Sequence, residues 1–243
     1  MSNPKELGHL THMTLKIDLP IPMDFDMEYN KLVLLCGTNG SGKSLVLKLS
    51  WLFNTVMSLG LGKKLMGLTK TSFEGLVQFT FDNTFDNQNF NGMIKAEYEN
   101  GNIVIGLDHG KVLSLEIITA DTVNSVPTPI FMSTEMRTFD QIKRFFQLSK
   151  LSKNEDDILN YYKLYDVTYV EFLKKKINGS YILSEDFKDK LKVFDLGKYD
   201  MQSLQMTDDT MYFTNSKEEQ IELTTLSKGE QSIVNMFLGG GGD

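Results

Sequence analysis

Two short hydrophobic runs, HMTLKIDL and KLVLLC, lie between residues 12 and 36 on either side of a connection holding Pro20 and Pro22, and both read as strands. The second is continuously apolar and bounded by Gly37, the pattern of a strand buried on both faces of a sheet. From Gly42 the period changes. Leu45, Leu49, Leu52, Phe53 and Val56 recur at helical spacing until Gly60 and Gly62 interrupt them. The order is strand, glycine loop, helix.

From Phe73 to Thr119 the runs LVQFTF, MIKAEYE, NIVIGL and KVLSLEIIT are separated by Asn/Asp/Gly-rich turns, which predicts an antiparallel meander packed beside the first helix. Asn100-Gly101 is a two-residue hairpin signal, and Asp108-His109-Gly110 supplies the next turn. Pro127 and Pro129 introduce PIFMS, another short apolar strand, and then the polar STEMR. Helices are expected over Phe139 to Leu151, Asp156 to Ile177, and Ser184 to Phe194, the last with Ser184 as its cap. A hairpin of TMYFTN and QIELTTL around Ser216-Lys217-Glu218 leads into LSKGEQS and a helix through Phe237. Four glycines, Gly239 to Gly242, disfavour continuation of that helix. The chain divides at 1–68, 69–126 (the meander), 127–206 (a strand and a helical subdomain), 207–238 (hairpin and last helix) and 239–243 (the glycine tail).

Composition narrows the class. A charge of −7 with 41% hydrophobic and 23% charged residues is an ordinary globular balance. The single cysteine, Cys36, forms no internal disulfide, and MSNPKELGHL lacks a secretory pattern, so a reducing cytoplasm is the expected location. No run approaches the roughly 18 consecutive apolar residues of a membrane helix. Overall acidity argues against a broad nucleic-acid surface, although local lysine patches remain candidates.

Gly37-Thr38-Asn39-Gly40-Ser41-Gly42-Lys43-Ser44 matches G-x-x-x-x-G-K-[ST] in full, with an apolar strand before it and a helix after. Glycines let successive amides turn inward around a β-phosphate while the following helix directs its positive end at the same anion. Lys43 suits the β- and γ-phosphates of ATP, and the Ser44 hydroxyl suits Mg2+. Cys36 reads as a small buried strand end in preference to a redox group, and Trp51 as core in preference to an adenine stack.

Leu226-Ser227-Lys228-Gly229-Glu230-Gln231-Ser232 is the second informative string. It places a hydroxyl, open backbone amides and a helix dipole at one point, and by itself it also reads as a Ser-capped helix with a capping box. Together, GTNGSGKS and LSKGEQS resemble the ABC-type ATPase superfamily of P-loop proteins. The LSxGE form is similar to its chromosome-maintenance, recombination-repair and OLD-like branches. The resemblance implies an α/β P-loop NTPase head with an antiparallel β subdomain and a helical subdomain, residues 1–68 being the nucleotide-binding core. It implies ATP and Mg2+ as cofactors, held by Gly37 to Ser44. It also implies a second head as partner, in a homodimer or higher oligomer, with Ser227, Lys228, Gly229 and Glu230 acting in trans on the other subunit's γ-phosphate.

A Q-loop glutamine is expected between the motifs. Gln141, shortly after PIFMS, is the candidate for the metal and the attacking water, and Gln78, within a predicted strand, is a weaker one; both also read as ordinary glutamines. Arg137 suits a phosphate or a surface ion pair. Lys174-Lys175-Lys176 and the Lys143/Arg144/Lys150/Lys153 group suit DNA phosphates or solvated faces. The family pattern continues with an apolar strand ending in Asp-Glu and a later histidine, but here no Glu follows Asp243 and no His follows His109. A truncated sequence is the favoured explanation, ahead of a second chain or a non-hydrolysing head. The expected function is an ATPase head that dimerises around ATP and drives a nuclease, toxin or DNA-processing effector. A transporter ATPase subunit and a non-hydrolysing dimerisation module are the alternatives.

Overall fold

The computed structural model describes residues 5–19, 22–29, 35–36, 42–66, 69–85, 89–120, 123–126, 131, 133, 136–151, 158 and 162–239. Within them the chain is mixed α/β, with two antiparallel sheets and six α-helices. It forms two compact units, Met1–Pro129 and Ile130–Asp243.

The first unit carries strands β1 (Lys5–Glu6), β2 (Leu10–Leu19), β3 (Met23–Glu28), β4 (Asn91–Tyr98), β5 (Gly101–Asp108), β6 (Lys111–Thr119) and β7 (Val123–Ser125), and helices α1 (Lys43–Met66) and α2 (Lys70–Phe85). Five strands pair antiparallel in the order β3-β2-β4-β5-β6, while β1 and β7 form a small parallel pair. Alternation puts Met13, Leu15, Ile94, Ala96, Ile103 and Ile105 in the core, each 0% exposed.

Several details depart from the sequence pattern, the first being that the expected connection after Pro20 and Pro22 itself forms strand β3, paired with β2. LVQFTF lies inside α2, whose buried Phe73, Val77, Phe81 and Phe85 recur every fourth residue. Thr80 and Thr84 donate to the carbonyls one turn back, and Thr69 caps the helix by accepting from Ser72 N–H at 3.2 Å. The two-residue turn between β4 and β5 is Glu99-Asn100, with Tyr98 opposite Gly101, one position earlier than Asn100-Gly101. Helix α1 runs through Gly60 to Met66, and a Cβ at Gly60 would meet Ile117 Cδ1 at 3.0 Å, so the glycine serves close packing rather than a helix stop. In the expected strand KLVLLC, residues 31–34 lie outside the described residues, and Leu35 and Cys36 have no regular structure.

The second unit contains α3 (Phe139–Leu151), α4 (Leu164–Lys176), α5 (Glu185–Val193) and α6 (Lys228–Gly239), with an antiparallel sheet ordered β11 (Gln220–Glu222), β10 (Thr210–Asn215), β9 (Met201–Thr207), β8 (Ser180–Ile182). Helix α3 and the β10–β11 hairpin occupy their expected places. Ser184 caps α5, its hydroxyl accepting from Phe187 N–H at 3.3 Å. Helix α4 begins at Leu164, after non-helical Tyr162 and Lys163 that interrupt the expected continuous helix from Asp156; Ile158 is helical, and residues 152–157 and 159–161 lie outside the described residues. Strand β9 is a further departure: the Asp208-Asp209 turn, with φ of 49° and 62°, folds it onto β10. Of PIFMS, only Phe131 and Ser133 are described, and neither has regular structure.

Candidate functional site

In the first unit the described part of the glycine loop is Gly42 and the residues after it; Gly37, Thr38, Asn39, Gly40 and Ser41 lie outside the described residues. Gly42 has φ +84°, and a Cβ there would press on the Met23 methyl. Helix α1 opens at the next residue, with Val46 N–H donating to the Gly42 carbonyl at 3.0 Å. Left-handed Gly42 is followed at once by the helix, with Lys43 and Ser44 in its first turn and Ser44 exposed.

The helix is fixed behind this point. Ser50 Oγ bonds Tyr29 Oη at 2.9 Å and donates to the Val46 carbonyl at 3.0 Å, tying α1 to the residue after β3. Burial raises the Tyr29 pKa, so its hydroxyl stays protonated. Trp51 is buried, as its helical spacing implies, whereas Cys36 is exposed rather than a buried strand end. Leu35 and Cys36 themselves have no regular structure. The window Lys43–Leu61 is long and apolar enough for a membrane span by length and composition, but Leu49, Leu52, Phe53, Val56 and Met57 are buried in the first unit.

In the second unit Ser227 is the residue before α6, and the capping box is present in full. Glu230 N–H donates to Ser227 Oγ at 3.3 Å and Ser227 N–H donates to Glu230 Oε2 at 2.9 Å. Ser227, Lys228 and Gly229 are exposed, and nothing lies within 4 Å of a Cβ built on Gly229. Glu230 also accepts from Tyr199 Oη at 3.0 Å and pairs with Lys198 Nζ at 3.1 Å. The Ser227 backbone N–H chiefly, then the Ser227 side chain, with Lys198 and Tyr199, hold the Glu230 pKa down at about 2 against desolvation.

Two further amides on α6 face inward. Gln231 accepts from Phe139 N–H at 2.9 Å, at the start of α3, and donates to the Leu226 carbonyl at 2.9 Å. One turn on, Asn235 donates to the carbonyls of Met136 at 2.7 Å and Arg137 at 3.2 Å, and accepts from Tyr169 Oη at 2.7 Å. Both amides are at most 1% exposed. They clamp α6 to the segment leading into α3, from which the Arg137 side chain stands exposed.

Gln141 lies in the first turn of α3, where its Oε1 accepts from Thr138 N–H and Thr138 Oγ1, both at 3.0 Å. Gln78 is on a helix rather than in a strand. It donates to Asp82 at 2.8 Å and to the Gly110 carbonyl at 3.1 Å, and accepts from Val112 N–H at 2.7 Å, which makes it a strut between α2 and the β5–β6 turn. Three of the basic groups are engaged within the fold, while Arg144, Lys174 and Lys175 are exposed. Lys143 bonds Glu222 at 2.7 Å, Lys150 pairs with Asp209, and Lys176 donates to the Leu238 carbonyl at 3.2 Å. Lys153 and Asp243 lie outside the described residues.

Sequence reasoning did not single out Lys198, Tyr199 or Asn235. Asn235 was legible as the fourth residue after Gln231 on one helix face; Lys198 and Tyr199, far from Glu230 in the chain, carried no local signal. Comparison with protein-family models, curated proteins and solved structures finds no match for this chain.

Proposed function

We propose that the chain is an ATP-binding head of the ABC type that binds Mg·ATP and dimerises around it to control an effector such as a nuclease, a toxin or a DNA-processing partner. The observation that carries this reading is the complete GTNGSGKS string opening directly into α1, with left-handed Gly42 at the junction. An eight-position match that also turns its chain into a helix N-terminus is suited to a polyphosphate, because amides and the helix dipole meet the same charge.

The residues present fit the nucleotide and its metal. The loop amides and Lys43 would hold the β- and γ-phosphates, and the exposed Ser44 hydroxyl would hold Mg2+, whose charge would neutralise the phosphates. On the second unit, Ser227, Lys228 and Gly229 are exposed at the start of α6; the Ser227 N–H and hydroxyl oxygen serve the capping box, and the Lys228 and Gly229 amides with the Ser227 hydroxyl hydrogen would meet a phosphate presented by another copy. Arg137, on the segment clamped by Asn235, is a further cation placed for an anionic partner.

Titration with a fluorescent ATP analogue and Mg2+ tests the reading. Lys43→Ala is expected to weaken binding by more than about tenfold, and Ser44→Ala to remove its Mg2+ dependence. Ser227→Arg is expected to leave nucleotide binding intact and to abolish an ATP-dependent dimer seen by sedimentation. Absence of ATP binding by the unsubstituted chain overturns the proposal.

A further inference from the structure

We propose that Lys198 and Tyr199 are positioning residues of the LSKGEQS segment, neutralising and aiming the Glu230 carboxylate so that the start of α6 can receive a phosphate from a second copy of this chain. The inference rests on the function proposed above and deepens it.

The motif contains an internal conflict. Glu230 closes the capping box that fixes the helix start, yet it brings a full negative charge to the end that must meet an anion. The fold answers with a second segment. The turn Asp195–Asp200 is wound tightly, with Asp195 and Asp200 at φ 58° and 48°, and the backbone bonds Leu196 N–H to Leu191 O at 2.9 Å and Asp200 N–H to Gly197 O at 3.0 Å. It presents Lys198 and Tyr199 to one carboxylate oxygen, Oε1, at 3.1 and 3.0 Å, while Oε2 is occupied by Ser227 N–H.

Each donor is itself held. Lys198 lies 5.1 Å from the Tyr199 ring centroid and 3.7 Å from Asp195, and the Tyr199 ring meets Phe213 edge-on at 6.0 Å. Across the turn Asp195–Asp200 and the motif, Lys198 and Lys228 stand against Asp195, Asp200 and Glu230; without Lys198 the acidic excess grows from one charge to two. A purely structural cap needs only Ser227 and Glu230, so Lys198 adds charge balance where an anion would dock.

The test compares the full chain with Lys198→Ala, Glu230→Gln and the double variant, measuring nucleotide affinity and the dimer constant in saturating Mg·ATP separately. Lys198→Ala is expected to weaken the dimer about fivefold, the upper end for an exposed ion pair, with nucleotide affinity unchanged. Glutamine keeps a capping box but no charge, so in the Glu230→Gln background the loss of Lys198 is expected to cost nothing. The gap between wild type and Lys198→Ala is also expected to close as salt rises, since exposed charges are screened. An unchanged dimer in Lys198→Ala, or an equal loss in the Glu230→Gln background, overturns this inference while leaving the proposed function standing. A wild-type chain that forms no ATP-dependent dimer overturns both.

Discussion

Gly42 and Glu230 each hold a helix start, by opposite means. Gly42 does so through backbone freedom. At φ +84° a Cβ would be strained whatever the space, so Gly42→Ala is expected to destabilise the first unit by about 1–2 kcal/mol. The measurement is denaturant unfolding of the whole chain, and an unchanged midpoint contradicts the assigned backbone. Glu230 does so through charge. Its folded-state pKa of about 2 lies below the usual 4.5, so its stabilisation is fully present above that usual value and disappears as pH falls toward 2. The thermal midpoint of wild type is expected to fall more steeply than that of Glu230→Gln between about pH 5 and pH 2.5. Parallel curves would show that the carboxylate contributes nothing to the cap.

Elements are joined by buried amides as much as by apolar contact. In the second unit, α6 packs through Val234 and Leu238, both 0% exposed, but Gln231 and Asn235 set its orientation against the segment from Met136 to Asp140. Hydrogen bonds specify position where apolar contact permits sliding. Asn235→Ala leaves the Met136 carbonyl and the Tyr169 hydroxyl without this partner, and is expected to cost about 2–3 kcal/mol. Tyr169→Phe removes one bond of the same set and is expected to cost about 1 kcal/mol. Equal costs in chemical denaturation would refute this division. Helix α2 illustrates the same competition in the first unit. Its LVQFTF run alternates like a strand, but the four-residue recurrence of Phe73, Val77, Phe81 and Phe85 and the Thr69 cap prevail once both sides are counted.

For the molecule as a whole, the proposed function makes stability depend on ligand. A nucleotide that binds the folded chain alone stabilises it by about 2.7 kcal/mol at a hundredfold excess over its dissociation constant. Calorimetry with Mg·ATP is expected to raise the unfolding temperature of wild type and to raise that of Lys43→Ala distinctly less. An equal rise in both would place the nucleotide somewhere other than the glycine loop. The measurement also separates ligand stabilisation from dimerisation, because Ser227→Arg is expected to keep the single-chain part of the rise.

The sequence determined what is local. The helix that opens after Gly42, the Ser227–Glu230 capping box, α3, the Ser184 cap and the β10–β11 hairpin rest largely on interactions within a few residues, which the order of side chains encodes directly. Tertiary structure decided what depends on distant partners. Gly60 of α1 lies close against Ile117, far along the chain; the register of β4 on β5 moves the turn to Glu99-Asn100; and β9 pairs with β10. The same holds at the candidate site. LSKGEQS was legible as a string, but Lys198 and Tyr199 reach Glu230 only through the fold of the intervening chain, and Gln78 became a strut only when the β5–β6 turn came within reach. A charge or an amide has no direction in sequence; its role follows from which group the folded backbone brings to it.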